Sequence, residues 1–200
     1  MKSSAITVRP VPLSIPSTGQ KIETEINDTK VTIVSHDMTT IKADAYVVPQ
    51  RRINPGPWGV PGAVVKAGAR SGIRDYIIQS LVRQDPFDYG HVELTSSGGG
   101  NSQYLLNIVT QDLGDSENPR HGVNGVEQLA LHNVLVLSSE IRLKSIVVPA
   151  LGTGGDLTFE ESAKAIKAAI EQSPTFENIV ISTNNNPEAF KAFKKVFKKN

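Results

Sequence analysis

Ser145-Ile146-Val147-Val148-Pro149-Ala150-Leu151-Gly152-Thr153-Gly154-Gly155-Asp156-Leu157-Thr158 is the stretch whose reading decides the fold. Its first five residues form a short, mostly apolar run, as expected of a strand buried on both faces. Glycines follow at once. Thr158 with Glu161 then has capping-box spacing, and the helix it opens places Ala163, Ile166 and Ile170 on one face. Strand, glycine loop and helix make the unit of open parallel sheets, whose ligands lie at the carboxyl ends of strands. Glycines there let the backbone turn tightly and approach a ligand, and their N–H groups suit a phosphate. The same loop also reads as a plain βα connection, so taken alone it leaves the ligand open. The Walker pattern is absent, since no Gly-Lys-Ser/Thr follows, and Leu157 occupies the third glycine position of a Rossmann fingerprint.

Upstream, a second unit has the same grammar. Ala45-Tyr46-Val47-Val48 is a buried strand, residues 51–61 form a loop rich in proline and glycine, and a helix begins near Gly62. Two glycine-bearing loops after two strands could hold the two phosphates of a pyrophosphate from opposite sides. Trp58, the only tryptophan, either covers such a ligand or packs on its own loop. Asp37, at the end of the strand Val31–Val34, reads either as a turn residue or as an acceptor for an exocyclic amine such as adenine's.

The remaining segments complete an α/β pattern. Ile22–Ile26 alternates weakly and Asn27-Asp28 is a turn signal. Asp75–Val82 reads as a helix. Val92 and Leu94, then Leu105–Val109, read as two strands around the glycine turn at 98–100. Asn124 with Glu127 suggests a capping box before a long helix ending near Arg142. Ile179–Ile181 is a last strand, and Asn186 can cap a final helix with Pro187 at its first position. Strands alternating with helices predict a largely parallel sheet covered on both faces, made mixed by the hairpin around Gly98. Residues 1–20, with Pro10, Pro12 and Pro16, read as an extended lead-in, and 21–200 as a single domain.

Composition narrows the function. The 200 residues are 38% hydrophobic and 20% charged, with net charge +1, so no global field draws the chain to nucleic acid or membrane. With no cysteine, disulfides, thiolate metal sites and cysteine nucleophiles are excluded. The N-terminus lacks an apolar leader and no run is long enough to span a bilayer, so a cytoplasmic location and no membrane partner are expected. Among the histidines, no pair has zinc-helix spacing, so no metal is expected. His132 reads as structural and His91 as facing solvent. The lysines between Lys191 and Lys199 fall between apolar residues at helical spacing, which predicts an amphipathic helix with a cationic outer face, or, less simply, a nucleic-acid patch.

Taken together, these segments resemble the macrodomain family over about residues 30–198. Ser35-His36-Asp37-Met38-Thr39 resembles its Gly-Asp-Ile-Thr motif, and Asp44-Ala45-Tyr46-Val47-Val48 its Asp-Ala-Ile-Val strand. Gly59-Val60-Pro61-Gly62-Ala63-Val64 resembles the first phosphate loop. Tyr89–Thr95 resembles the Gly-x-(Ala/Val)-x-x-Thr strand, and Pro149-Ala150-Leu151-Gly152-Thr153-Gly154 the second phosphate loop. The resemblance implies a three-layer α/β/α fold and ADP-ribose as ligand, with no cofactor. It implies ligand contacts at Asp37, Met38, Gly59, Val60, Pro61, Ala150, Gly152, Thr153, Gly154, Gly155, Asp156, Leu157 and Asn185.

Departures from the family pattern make this a divergent member. Arg51 stands where many members carry the asparagine that positions the ribose for hydrolysis. Pro57-Trp58-Gly59 replaces a three-glycine segment. Asn184-Asn185-Asn186 falls where many members carry a stacking aromatic. The leading expectation is therefore a reader of ADP-ribose or ADP-ribosylated protein. The alternative is an ADP-ribosyl hydrolase, or an O-acetyl-ADP-ribose deacetylase, with Asp156 as its catalytic carboxylate. Some member hydrolases pair such an aspartate with a lysine of the first helix, and Lys66 lies one position out of register for that role. A second alternative is RNA or poly(ADP-ribose) binding through the final helix.

Overall fold

The computed structural model describes residues 10–53, 55–111, 125–155 and 157–198. Strands β1 (Lys21–Ile26) and β2 (Thr29–Val34) form an antiparallel hairpin. Its two-residue turn puts Asn27 and Asp28 at φ 48° and 60°, a left-handed conformation that Asn and Asp tolerate better than other side chains. A short 3-10 turn, Met38–Thr40, leads to β3 (Ala43–Arg51). Helices α1 (Val60–Lys66) and α2 (Arg70–Leu81) precede the hairpin of β4 (Val92–Ser96) and β5 (Ser102–Gln111). Then come α3 (Val126–Glu140), β6 (Ser145–Pro149), α4 (Phe159–Glu171), β7 (Asn178–Ser182) and α5 (Pro187–Phe197).

The seven strands lie in the order β1-β2-β7-β6-β3-β5-β4. The five inner strands run parallel and the two edge strands antiparallel to their neighbours, the mixed, mostly parallel sheet expected. Because side chains alternate across a strand, each inner strand feeds two cores. Ala45, Val47, Ile146 and Val148 pack with residues of α3, α4 and α5 on one face. Tyr46, Val48 and Val147 pack with Val64 of α1 and with Ala69 and Ile73 on the other. The result is three layers, α/β/α. No helix among the described residues is long and apolar enough to cross a membrane.

Local chemistry sets the ends of the elements. The predicted capping box of α4 is present: the Thr158 hydroxyl accepts from Glu161 N, and the Glu161 carboxylate accepts from Thr158 N at 2.8 Å. The Asn186 side chain caps α5, with Pro187 at the first helical position. The start of α3 corrects the expectation. Asn124 lies outside the described residues, and the cap is Gly125, at φ 83°, with no side-chain bond. The helix therefore starts one residue late for Glu127 to occupy the third position of a capping box.

Asp44 is fully buried and fastens two strand starts together. Its Oδ2 accepts from the backbone N–H of Lys144 at 2.8 Å and of Ser145 at 3.0 Å, and Ser145 Oγ accepts from Asp44 N at 2.9 Å. Hydrogen bonds to a charged group each contribute about 1.5–3 kcal/mol, enough to hold a buried carboxylate in place. Of the lead-in, Ser14 pairs with Lys42 through two bonds of 2.9 Å, and Leu13 and Ile15 pack on the core beneath α1.

Candidate functional site

Strands β3 and β6 are neighbours, yet their connections leave the sheet in opposite directions. The chain leaving β3 runs to α1 and α2 on one face. The chain leaving β6 runs to α4 on the other. A crevice must open where adjacent connections diverge in this way, and such crevices are where open α/β sheets bind ligands. A cleft of about 700 Å3 lies there, within the size range of small-molecule sites. Its floor is formed by the strand ends: Pro49, Gln50 and Arg51 of β3, Gln111 of β5, Pro149 of β6 and Ser182 of β7.

One wall is the loop before α1, which contributes Gly56, Trp58, Gly59, Val60 and Pro61. Gly59 has φ 59°, which favours glycine, and caps α1 through its carbonyl, 3.0 Å from Ala63 N. The Pro57 carbonyl folds back against Gly62 so closely that a Cβ there would stand 2.5 Å from its oxygen. The opposite wall is the loop after β6. There the Gly152 carbonyl accepts from Gly155 N at 3.0 Å and Leu157 N at 3.3 Å, and the Thr153 hydroxyl donates to the Ala150 carbonyl at 2.8 Å. The N–H groups of Gly152, Thr153 and Gly154 have no acceptor among the described residues.

Electrostatics agree with that chemistry. Arg51 is the only charged side chain among the described residues lining the cleft. The next arginine is held elsewhere, with the Arg52 guanidinium 5.6 Å above the Tyr89 ring. Behind the second loop, Glu127 is buried, and its Oε1 would be 2.9 Å from a Cβ at Gly152. Burial pushes the Glu127 carboxyl above its ordinary value, partly opposed by the bond with its own backbone N–H.

A scan of protein-family models finds no match to the chain. By sequence it is 29% identical over 187 residues to an uncharacterized protein of Pyrobaculum aerophilum, covering 89% of this chain and 96% of that one. It is 31% identical over 185 residues to an uncharacterized protein of Thermotoga maritima, of which it spans only 30%. By structure it matches the Oceanobacillus iheyensis macrodomain with TM-score 0.76 at 18% identity, covering 90% of this chain and 96% of that one. The same macrodomain solved with ADP gives 0.74 at 19% identity, with the same coverage. The Trypanosoma brucei macrodomain in complex with ADP-ribose gives 0.65 at 16%, covering 82% and 68%. The chain has the macrodomain fold.

On that fold the expected residues are distributed as follows. Gly59, Val60, Pro61, Ala150, Gly152, Thr153 and Gly154 line the cleft together. Gly155 is exposed beside them and Leu157 packs against Gly152. Asp156 lies outside the described residues. Asp37 does not line the cleft. It lines an adjoining hollow of about 610 Å3 with Thr39, Trp58, Gly59 and Lys66. Asp37 also serves as a cap, its Oδ1 accepting from both Thr39 N and Thr39 Oγ1 at 2.9 Å. Its charge reaches the Tyr46 phenol, which burial first and then Asp37 push upward. The Met38 side chain is buried in the core beneath α1. Asn185 is exposed with φ 57°, and its neighbours Asn184 and Asn186 line the cleft instead.

Several lining residues were not among the expected contacts, Gln50, Gln111, Phe159, Ser182 and Thr183 among them. Gln50 and Gln111 end their strands as polar residues in apolar runs, a signal that was available. Phe159, at the first position of α4, looks in sequence like any core residue, yet it lines the cleft. His91, expected to face solvent, is half-buried: its ring stacks on Phe87 at 4.1 Å between centroids, with Nε2 3.1 Å from Glu93. His132 is half-buried, its Nδ1 2.9 Å from Ser173 Oγ. Lys66 is exposed in the adjoining hollow and does not line the main cleft.

Proposed function

We propose that this protein binds ADP-ribose, free or attached to another protein, with the diphosphate held between the loop before α1 and the loop after β6. The carrying observation is the pair of glycine loops lining one cleft in which Arg51 is the only charged side chain among the described residues. A diphosphate brings two negative charges. A guanidinium with several backbone N–H groups answers that charge with directional, charge-assisted bonds. Related folds support the same ligand class, since the Oceanobacillus iheyensis macrodomain was solved with ADP and that of Trypanosoma brucei with ADP-ribose.

Within this reading the protein is a reader, because Arg51 occupies the position that the hydrolysing members fill with asparagine. Incubation with ADP-ribosylated protein or O-acetyl-ADP-ribose should leave both substrates intact. The lysines of α5 give a weaker case for nucleic acid: Lys195 is paired with Glu160 at 2.9 Å, and Phe190, Phe193 and Phe197 are buried in the core. Binding through that helix would fall steeply with salt.

A thermal-shift titration with ADP-ribose, AMP and ribose 5-phosphate tests the proposal. At about 100 times the dissociation constant, binding adds about 2.7 kcal/mol and raises Tm by several degrees. The expected result is a shift with ADP-ribose well above either fragment. Equal shifts, or none, would sink it.

A further inference from the structure

Trp58 is 64% exposed, a large apolar area to leave in water. Yet its indole is held. Trp58 N donates to the Gly56 carbonyl at 2.9 Å, and the ring lies so close over Gly56 that a Cβ there would be 2.7 Å from Nε1. Gly56 thus admits the ring against the loop backbone, which orients it. Trp58 and Gly59 are also the two residues shared by the main cleft and the adjoining hollow. The other exposed large apolar residues, Ile53, Ile78, Leu81, Val82 and Leu129, line neither.

The hollow suits a flat, amine-bearing ring. Gly62, Ala63 and Ala67, small enough to admit a plane, line it together with Asp37. Asp37 Oδ1 is committed to Thr39, while Oδ2 has no partner among the described residues and remains free to accept from an exocyclic amine. A ligand with its diphosphate between the glycine loops and its base at Asp37 must pass Trp58.

We propose that Trp58 is the stacking platform for the ligand's base, so that the site selects a nucleoside diphosphate derivative over a sugar diphosphate lacking a base. This rests on the ADP-ribose reading above. Base–aromatic stacking tightens binding by about one to two orders of magnitude, enough to decide between such ligands.

Because Trp58 is the sole tryptophan, its emission reports on ligand at this residue with no background from another indole. The experiment titrates the full chain with ADP-ribose, AMP and ribose 5-phosphate, following emission and binding heat in parallel. ADP-ribose should quench Trp58 and ribose 5-phosphate should not. By calorimetry Trp58→Ala should weaken ADP-ribose about tenfold, and Trp58→Phe should restore most of the loss. Binding heat with unchanged emission, or unchanged affinity in Trp58→Ala, would overturn the inference while leaving the ADP-ribose reading intact. No heat with ADP-ribose would remove both.

Discussion

The side-chain amide of Gln50 donates to Asn107 Oδ1 at 3.0 Å, and this bond sets which way Gln50 faces at the end of β3. Asn107 Nδ2 donates to Thr95 Oγ1 at 3.0 Å and to the Glu93 carbonyl at 3.4 Å, so its oxygen is what remains for Gln50. Gln50 must then present its NH2, which leaves its own Oε1 buried without a partner among the described residues. The two deletions should therefore differ. Gln50→Leu removes an oxygen already unpaired but strands one partner, Asn107 Oδ1, and should cost about 1–2 kcal/mol. Asn107→Leu strands three partners and should cost about 2–3 kcal/mol. Urea midpoints of the two variants measure the order; equal losses would contradict the chain of bonds.

Arg51→Ala should weaken ADP-ribose about 10- to 100-fold, the loss expected for a charge-assisted bond of about 1.5–3 kcal/mol. Arg51→Lys should recover only part, because an ammonium lacks the planar fork. Isothermal titration would show it, and unchanged affinity in Arg51→Ala would move the diphosphate elsewhere.

Gly62→Ala separates binding from stability. The added Cβ would stand 2.5 Å from the Pro57 carbonyl oxygen, so the loop must shift. Alanine in a helix is favoured over glycine by about 1 kcal/mol, which offsets the local strain. The expected outcome is a nearly unchanged melting temperature with ADP-ribose affinity reduced about tenfold or more, since small misplacements are costly at such sites. A variant that binds normally would show that the loop conformation is unimportant.

Glu127→Gln should change how stability depends on pH. Burial raises the folded-state carboxyl above 4.5, its ordinary value. Ionising it therefore costs folding free energy, and stability falls as pH rises through the raised value. The variant should match the parent at pH values below 4.5 and exceed it near neutrality. Melting temperatures across that interval provide the check, and parallel curves would show that Glu127 titrates as it does in the unfolded chain.

Much of the fold was legible because its decisive features are local. Ser145–Pro149 and the Thr158–Glu161 box occur in one stretch, and the structure keeps both. The two glycine loops were legible for the same reason. What was hidden depends on distant pairing or on a single backbone angle. Gln50 meets Asn107 across 57 positions, a register that no local pattern encodes. The left-handed turn at Asn184 and Asn185 decides which asparagine reaches the cleft, and three identical residues in a row carry no signal for it. Asp37 was legible as a capping residue, but its separation from the main cleft depends on where Trp58 stands.

The two walls of the cleft hang from different cores: Val64 of α1 belongs to the cluster beneath α1 and α2, while Leu151 and Ala163 belong to the cluster beneath α3, α4 and α5. The sheet separates them. The site is therefore modular. One wall can be rewritten without repacking the other, since residues 56–61 lie on the first wall alone. New ligand preferences could thus be engineered by grafting residues 56–61 alone, with the second loop left as a constant anchor.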